Sequence, residues 1–295
     1  MAEFELLDTD EADAPGDEFE EIDVSDTEAD RIARRRDREF AQFRERIVDA
    51  DQFKLEESVF DEATYGALYK LVQDGYVAAF GGPLSTGKEA NVYEALGGSA
   101  AAEALSTEEP TVAVKVYRIN ASNFRDMRDY LEGDPRFEGI GSEKGEVVKA
   151  WVRKEYSNLG RARDAGVRVP IPLGVERNVL VMEYIGTATG RAKRLSEVEI
   201  ENPETAYEVV REYMRRLYAA GLIHGDLSEY NIVFHDGQLV VIDLGQAVTV
   251  HHPNAEKFLK RDCENVAAFF QRLGIERTAA DLEAFVMERN SDEGF

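Results

Sequence analysis

The order of secondary-structure patterns along the chain limits the folds open to it. Between residues 76 and 118, short runs rich in Val, Tyr and Ala alternate with Gly-containing segments, as in YVAAFGG, ANVYEAL and TVAVKVYRI, and this pattern is typical of antiparallel strands. After residue 202, apolar residues recur mainly at helical spacing. Because the chain shows no internal repeat, the pattern predicts an α+β fold with a strand-rich half, a helix-rich half and a cleft between two lobes.

Residues that favour helix caps and tight turns predict where several elements begin and end. Asn202 followed by Pro203 predicts the start of a helix, and Gly75, Gly166 and Gly221 each predict the end of one. Asp236-Gly237 predicts the turn of a hairpin. We expect GGSAAAEALSTEEP to be a surface loop, residues 120–147 to be mobile with some helix at their start, and two final helices at about 254–272 and 278–289.

Composition bounds the class of protein. Apolar residues make up 43% of the 295 residues, which is enough for a sizeable core. The net charge is −24, and residues 1–30 hold 14 acidic and no basic residues, so we predict a disordered acidic tail there. For the Arg-rich residues 30–50 we favour a solvated helix over a basic arm that contacts RNA. The acidic, Lys-poor remainder would suit a salt-rich cytoplasm.

The sequence also suggests a compartment. Cys263 is the single cysteine, so no disulfide can form within the chain, and a reducing intracellular environment is expected. No apolar run approaches the ~18 residues of a membrane span, and the acidic N-terminus is unlike a signal peptide. We therefore expect a cytoplasmic protein that does not associate with a membrane.

A glycine-containing segment before the second predicted strand suggests phosphate binding. Residues 82–88, GPLSTGK, match the first seven positions of a Walker A loop, but Glu89 stands where a Ser or Thr hydroxyl should meet Mg²⁺. The strand-like ANVYEAL also follows where a Walker loop would open a helix. We interpret the segment as a turn over a nucleotide, and a purely structural hairpin is the alternative. The residues assigned to nucleotide binding there are Ser85, Thr86, Gly87 and Lys88.

A lysine in an apolar strand is the next candidate. Lys115 points opposite to its neighbours Val114 and Val116, so it lies either on a solvated face or in a cleft where it pairs with phosphate. A positioned cleft lysine needs a carboxylate partner, and Glu155 lies 40 residues later on a predicted helix. A strand lysine paired with a helix glutamate is the arrangement that protein kinases use.

The strongest candidate catalytic segment is HGDLSEYN at residues 224–231. Asp226 and Asn231 are five residues apart, the spacing of a kinase catalytic loop, which would place the Asp on a substrate hydroxyl and the Asn on a metal. Asp243 ends the predicted apolar strand QLVVID, so its carboxylate is expected at the cleft edge. Oxygen ligands from Asn231 and Asp243 suit Mg²⁺ bridging ATP phosphates. The alternative is that these Asp and Asn residues only shape turns.

Other polar residues carry weaker signals. His224 is interpreted as a structural hydrogen-bonding residue, and Cys263 as a packing residue. Adjacent His251 and His252 point apart and have no Cys/His cluster near them in sequence, so a zinc site is not expected.

At these residues the chain resembles the RIO family of atypical protein kinases, and its type 1 branch most closely. The matching stretches are STGKEANVYEA, AVKVYR, RKEYSNL, LVMEYIG, HGDLSEYN, VIDLGQAV and HPNAEKFLKRDCENV, spread over most of residues 59–272. One departure is Gly245, where the type 1 pattern has Ser. As in the family, Ser228 stands where ordinary kinases have Lys, and the D-F-G and A-P-E motifs are missing from the sequence.

The resemblance implies a two-lobed kinase-like fold with an ATP cleft. Taken with the composition, the resemblance divides the chain into an acidic tail at 1–30, which it does not cover, N-terminal helices at 31–80, an N-lobe at 81–185 and a C-lobe at 186–295. It also implies ATP and Mg²⁺ as cofactors, adenine bound by backbone at Glu183 and Ile185, autophosphorylation on Ser, and a role in maturation of the small ribosomal subunit. In the type 1 branch, ATP hydrolysis is implied to pass through a phospho-aspartate at Asp243.

The leading hypothesis is an ATP- and Mg²⁺-dependent serine/threonine protein kinase and ATPase. Its expected partners are the protein and rRNA of the pre-ribosomal small subunit, and the chain itself is expected to be an autophosphorylation substrate. One alternative is a small-molecule phosphotransferase of the aminoglycoside type, which also uses HGDLxxxN. Another is a non-catalytic assembly factor gated by a nucleotide.

Overall fold

A computed structural model describes residues 60–119, 124–131, 134–137, 139–141 and 143–288. The predicted acidic tail at residues 1–30 and the predicted Arg-rich helix at residues 30–50 lie outside these ranges. Helix α1 spans Glu62–Gln73, and the Asp61 carboxylate caps it by accepting from the Thr64 N–H at 2.8 Å. Gly75 follows with φ +80°, as expected of the residue that ends this helix.

Five antiparallel strands form the main sheet of the N-terminal half. They are β1 (Ala79–Thr86), β2 (Ala90–Leu96), β3 (Thr111–Tyr117), β4 (Pro172–Glu176) and β5 (Val179–Glu183). Their order in the sheet is β1-β2-β3-β5-β4. The strand-rich first half is therefore confirmed, although β1 begins three residues later than predicted and extends to Thr86.

Two segments predicted to be irregular contain helix. Helix α2 (Ser99–Leu105) lies within the predicted surface loop, because its Ala-rich sequence has high helix propensity and Ala101 is fully buried against the sheet. Residues 120–147 contain helix α3 (Phe124–Leu131), a 3₁₀ turn (Pro135–Phe137) and the first turn of α4 (Lys144–Asp164). The predicted helix near the start of that segment is confirmed. Among the described residues of the segment, Arg136 of the 3₁₀ turn donates hydrogen bonds to Asp134 and to Asn158 of α4.

The C-terminal half is mainly helical, as predicted. Helix α5 (Pro203–Ala219) begins at the predicted cap, where the Asn202 Oδ1 accepts from the Thr205 N–H at 3.0 Å. Helices α6 (Ala255–Arg272) and α7 (Ala279–Met287) end the described chain close to the predicted ranges. The short strands are β6 (Gly186–Thr187), β7 (Gly190–Arg191), β8 (Lys193–Arg194), β9 (Leu222–Ile223), β10 (Ile232–His235), β11 (Gln238–Val241) and β12 (Val248–Thr249).

The hairpin of β10 and β11 carries two of the candidate site residues on its flanks. Its strands pair in register from Ile232 with Val241 to His235 with Gln238. The turn residues Asp236 and Gly237 both have positive φ, 47° and 75°, as a tight hairpin turn requires. The predicted hairpin is confirmed, and it fixes the chain on both sides of the cleft floor.

Two large apolar clusters form the core. One joins α1 to the main sheet, and the other packs α4 against the helices and short strands of the C-terminal half. Helix α4 therefore links the sheet to the helical lobe, as the two-lobed α+β prediction requires. Within the part of the chain that the structure describes, no helix combines the length and the apolar character needed to cross a membrane.

Candidate active site

A cavity of about 490 Å³ lies between the main sheet and the β10–β11 hairpin. Its walls are apolar near Val92, Ala113 and Met182, and polar toward Lys115 and Asp243. An apolar slot that leads to a charged end fits a nucleotide, whose base is flat and whose phosphates are anionic. The predicted site residues that line the cavity are Ser85, Gly87, Lys88, Lys115, Glu183, Ile185, Asn231 and Asp243.

The direction of the Lys115 side chain is decided by β3. Alternate residues Val112, Val114 and Val116 pack into the N-lobe core, which leaves Lys115 on the opposite face, where it lines the cavity. Only 7% of Lys115 is exposed, so the cleft orientation is correct and the solvated alternative is wrong. Its Nζ donates to the Glu155 Oε1 at 2.8 Å and to the Asp243 Oδ1 at 2.9 Å.

Glu155 is enclosed behind the lysine. It is 1% exposed, and its second carboxylate oxygen accepts a hydrogen bond from the Tyr117 hydroxyl. Glu155 does not line the cavity itself. Its position fits a residue that holds Lys115 in place and does not contact a ligand.

Burial and charge shift the pKa values in this group. Burial opposes the charged form of Lys115, but the carboxylates of Asp243 and Glu155 outweigh it, so the pKa of Lys115 is raised. Burial raises the pKa of Glu155. Enclosure also opposes ionisation of Asp243, but the Lys115 ammonium prevails and lowers the pKa of Asp243. Lys115 and Asp243 are therefore both charged at neutral pH.

Asp243 lies just beyond the hairpin. Strand β11 ends at Val241, two residues earlier than the prediction that Asp243 itself ends the strand. The φ of Asp243 is +61°, which turns the chain so that its side chain is 53% exposed at the cleft edge. The backbone N–H of Gly245 donates to this carboxylate. This hydrogen bond does not need the Ser side chain that the type 1 pattern has at this position.

Asp226 and Asn231 lie side by side in the predicted catalytic loop. The Asn231 Nδ2 donates to the Asp226 backbone oxygen at 2.8 Å and to its Oδ2 at 3.2 Å. The Ile242 N–H donates to the Asn231 backbone oxygen at 3.0 Å, which brings Asn231 next to the segment that carries Asp243. Burial raises the pKa of Asp226. Asn231 and Asp243 offer hard oxygen atoms at one edge of the cavity, which fits Mg²⁺.

The β1–β2 turn covers the cavity from above. Ser85, Gly87 and Lys88 line it, whereas Thr86 pairs with Asn91 in the ladder and is not part of the lining. The Gly87 N–H donates to the Ala90 backbone oxygen at 3.0 Å, so the segment closes a hairpin and does not open a helix. Residues 82–86 of GPLSTGK belong to β1, so only Gly87 and Lys88 lie in the turn between the strands, and the predicted turn is shorter than expected.

Glu183 and Ile185, the residues predicted to bind adenine, both line the cavity. The Glu183 carboxylate is bound by the Arg168 guanidinium at 2.6 Å and accepts from the Ile171 N–H at 3.1 Å. The Ile185 backbone oxygen accepts from the Ala192 N–H at 2.9 Å. The Glu183 side chain is therefore held by Arg168, and contact of adenine with the backbone at Glu183 and Ile185 stays a prediction of the resemblance.

The remaining polar candidates have structural contacts. The His224 Nε2 lies 3.1 Å from the Ile242 backbone oxygen, which agrees with the structural role predicted for it. Cys263 is fully buried, and burial raises the pKa of its thiol to about 12. The His252 Nε2 lies 3.2 Å from the Asp129 backbone oxygen. Within the described ranges no group of three or more His, Cys, Asp or Glu side chains is arranged to hold a metal ion.

Comparison with known proteins identifies the family. The sequence model of the RIO domain matches residues 91–284, more than half of the chain. The chain belongs to the RIO family of atypical kinases. It is similar to the RIO-type serine/threonine-protein kinase Rio1 of Haloferax volcanii, with 66% identity over 292 residues that cover 99% of this chain and 98% of the relative. It is also similar to the Rio1 kinase of Thermoplasma acidophilum, with 44% identity over 60% of this chain and 94% of the relative.

A solved structure supports the fold of this RIO kinase. The chain is similar to the Rio2 kinase of Chaetomium thermophilum, solved as an ADP/Mg²⁺-phosphoaspartate complex, with a TM-score of 0.56 and 21% identity. The match covers 77% of this chain and 67% of that chain. The two-lobed kinase-like architecture is therefore confirmed, and the high identity to Rio1 proteins confirms the type 1 resemblance.

Sequence reasoning missed Asp262, which holds the catalytic loop of this RIO kinase. Its two carboxylate oxygens accept from the backbone N–H groups of Gly225 at 2.7 Å and Leu227 at 2.8 Å, on either side of Asp226. Asp262 is 1% exposed, and burial raises its pKa to about 6. The signal in the sequence was an Asp inside the apolar face of a helix, in RDCENV, where a charge needs a partner.

Lys154 was also missed. It is fully buried and adjacent to Glu155, and its Nζ donates to the Gly245 backbone oxygen at 2.8 Å, while the ammonium lies 4.7 Å from the Trp151 ring centroid. Burial lowers the pKa of Lys154 to about 7. Lys154 thus fixes the turn that follows Asp243, a role that no local pattern indicates.

Proposed function

We propose that this chain is an ATP- and Mg²⁺-dependent serine/threonine protein kinase with ATPase activity, acting in the cytoplasm in maturation of the small ribosomal subunit. The observation that carries the catalytic part is the Lys115 ammonium, which donates to Glu155 on one side and to Asp243 on the other. One cation so placed would bind phosphate oxygens and orient a metal-binding carboxylate. High identity to named Rio1 kinases supports this activity.

Each residue has a separate task in this proposal. Lys115 holds the α- and β-phosphates, Glu155 positions the lysine, and the backbone of residues 85–88, at the end of β1 and in the turn after it, lies over the phosphates. Asn231 and Asp243 would ligate Mg²⁺, which when bound neutralises phosphate charge. Asp226, beside Asn231, orients the attacking hydroxyl and accepts its proton.

Two acceptors for the γ-phosphoryl group are compatible with this arrangement. A Ser hydroxyl of a protein, including this one, can form the new O–P bond while the bond to the leaving ADP breaks and Asp226 takes the proton. Alternatively, an Asp243 oxygen attacks the same phosphorus, ADP leaves, and water later cleaves the acyl phosphate. The half-exposed Asp243 carboxylate and the phosphoaspartate of the Rio2 complex support the second route.

Chemical lability of the label distinguishes these routes. We expect Mg²⁺-dependent ATP hydrolysis without any added acceptor, and label from γ-labelled ATP on this chain that hydroxylamine releases and that maps to Asp243. Acyl phosphates are cleaved by hydroxylamine, whereas phosphoserine is not. Asp243→Asn should remove the labile label, and Lys260→Gln on the exposed side of α6 is the matched control. If all trapped label resists hydroxylamine, the aspartyl-phosphate route is wrong and only Ser phosphorylation stands.

The proposed ribosomal role needs a separate test. We expect the purified chain to co-sediment with small ribosomal subunits, and its occupancy to differ between ATP and ADP. The same occupancy with both nucleotides, or the lack of any co-sedimentation, would contradict the role without affecting the enzymatic proposal. Turnover of ATP with no small hydroxylated acceptor present also separates this activity from that of an aminoglycoside-type phosphotransferase.

A further inference from the structure

A second cavity of about 370 Å³ adjoins the nucleotide cavity, and we call it the α6 cavity. The two cavities share Glu89, Trp151 and Gln246 as lining residues, so they meet at a common wall. The proposed nucleotide-binding residues do not line the α6 cavity. Its further lining residues include Asp129, Tyr130, Asn254, Lys257, Phe258 and Arg261.

Two cations of helix α6 line this cavity one helical turn apart. In the described part of the chain, neither Lys257 nor Arg261 has a carboxylate within salt-bridge distance. The Arg261 guanidinium lies over the Phe258 ring at 5.1 Å and donates to the Tyr130 hydroxyl at 3.3 Å, while its buried Nε has no acceptor there. Lys257 is exposed. Whereas the Arg168 guanidinium is neutralised by a carboxylate, these two cations are available to an anion.

Two further groups of donors belong to residues that line the α6 cavity. Helix α6 begins beside the cavity, and the Asn254 side chain does not cap it, so the positive end of the helix is not satisfied by its own cap residue. Trp151 is 2% exposed, and its indole Nε1–H has no acceptor among the described residues. A buried donor without a partner costs free energy unless a ligand or water satisfies it. Two cations, a helix N-terminus and this N–H together suit an anionic ligand.

The α6 cavity lies close to the reacting groups. A side-chain carbon placed on Gly245 would be 3.2 Å from the Trp151 Nε1 and 3.4 Å from the Asp243 Oδ1, so the shared wall adjoins Asp243. Burial raises the pKa of Asp226, and the charge of Arg261 acts on the same carboxyl in the opposite direction. A ligand in the α6 cavity would therefore lie beside the hydroxyl that receives the phosphoryl group, on the side away from adenine.

We propose that the α6 cavity binds an acidic side chain of the protein substrate, next to the Ser that is phosphorylated. This inference rests on the proposed protein-kinase function. A peptide carboxylate is favoured over nucleic acid because Glu89 and Asp129 line the same cavity, so it has little net positive charge to attract a polyanion.

Binding is measured first, because it does not depend on phosphoryl transfer. The probes are fluorescent peptides with a central Ala in place of Ser and a single Glu moved stepwise along an otherwise uncharged sequence, matched by Gln peptides. Anisotropy is recorded with the full chain, ADP and Mg²⁺. At one Glu position we expect about tenfold tighter binding than for Gln, the effect of one charge-assisted hydrogen bond.

The variants test whether Lys257 is the origin of that preference. Lys257→Gln should bring the Glu-to-Gln affinity ratio close to one, and Lys257→Glu should favour a Lys peptide instead. Lys260→Gln, an exposed lysine of the same helix outside the cavity, should keep the wild-type ratio. A wild-type ratio near one, or an unchanged ratio in Lys257→Gln, overturns the inference. So does a single-stranded RNA oligonucleotide whose binding is lost in Lys257→Gln while the peptide ratio is unchanged.

Phosphorylation of the corresponding Ser peptides separates failure of the inference from failure of the proposed function. If Ser peptides are phosphorylated with no preference for Glu in binding or in kcat/KM, the kinase function stands and the cavity proposal is wrong. If the Glu preference in binding is present but no Ser peptide is phosphorylated, the cavity proposal stands and the Ser-kinase proposal is wrong.

Discussion

The buried contact between Lys115 and Glu155 permits a quantitative prediction for stability. The side chains of Lys115 and Glu155 are 9% and 1% exposed, and their charged atoms are 2.8 Å apart. Removing one partner of such a pair leaves an uncompensated buried charge, at a cost of about 3–5 kcal/mol. The loss of stability in Lys115→Met should lie at the upper end of this range, because Glu155 then keeps only the hydrogen bond from the Tyr117 hydroxyl. The loss in Glu155→Gln should lie at the lower end, because Lys115 keeps its ion pair with the hydrated carboxylate of Asp243.

The double variant tests whether the two side chains act as a unit. In Lys115→Met/Glu155→Gln both charges of the pair are removed together, so the loss of stability should be smaller than the sum of the single losses by about 2–3 kcal/mol. Free energies of unfolding are measured by urea titration at one fixed salt concentration, because an ionic denaturant would screen the charges. The same cycle on ATP turnover should also be non-additive.

The pH dependence of Lys115→Met gives an independent check. In the wild type, burial raises the pKa of Glu155 and Lys115 opposes that effect. Without the ammonium, the folded-state pKa of Glu155 rises further above its unfolded value of about 4.3. The folded state then binds the proton more tightly, so stability is retained at low pH and lost as pH rises through the folded pKa. Additive losses, or a difference between variant and wild type that does not change with pH, would refute the reasoning.

Three further changes have defined outcomes. Asp226→Asn should lower phosphoryl transfer by ~10²–10⁴ while ATP affinity, measured by calorimetry, is largely kept; turnover within about tenfold of wild type would remove Asp226 from the catalytic role. Burial lowers the pKa of Lys154 to about 7, from its ordinary value of 10.5. Between these two pH values the unfolded chain binds more protons than the folded chain, so the free energy of unfolding should rise with pH in this window. Lys154→Met should abolish that rise in urea titrations. Gly225→Ala should lower the free energy of unfolding by about 1–2 kcal/mol because of the φ of +79° alone. The loss should be larger still because the added carbon would lie 2.8 Å from the Gln246 backbone oxygen. A melting temperature equal to that of the wild type would contradict this.

Gly225 also explains a departure from the kinase catalytic-loop pattern, in which Arg stands at this position. The left-handed backbone and the close approach of Gln246 leave no room for a side chain. The sequence shows the glycine but not this reason, because Gln246 is distant in the chain. The role of Asp262 was not predicted for the same reason, because its two backbone partners lie 37 and 35 residues away in the chain.

Local signals were enough for several elements. The Asp236-Gly237 turn and the Asn202 cap depend on steric and hydrogen-bonding preferences of residues within a few positions, and both occur as predicted. The alternation around Lys115 likewise placed its side chain opposite to Val114 and Val116. The prediction of a surface loop where α2 lies was wrong, because the burial of Ala101 against the sheet depends on residues distant in the chain.

The sequence alone predicted the order of the two lobes and the β10–β11 hairpin, and it supplied the candidate phosphate- and metal-binding residues. It did not decide which face of β3 meets the cleft, nor which acids surround Lys115. Those contacts join residues 40 and 128 positions apart, and they exist because helix α4 and the β10–β11 hairpin pack against the sheet. Side-chain periodicity follows from backbone geometry, whereas burial and charge pairing are set by the distant surfaces that tertiary packing brings together.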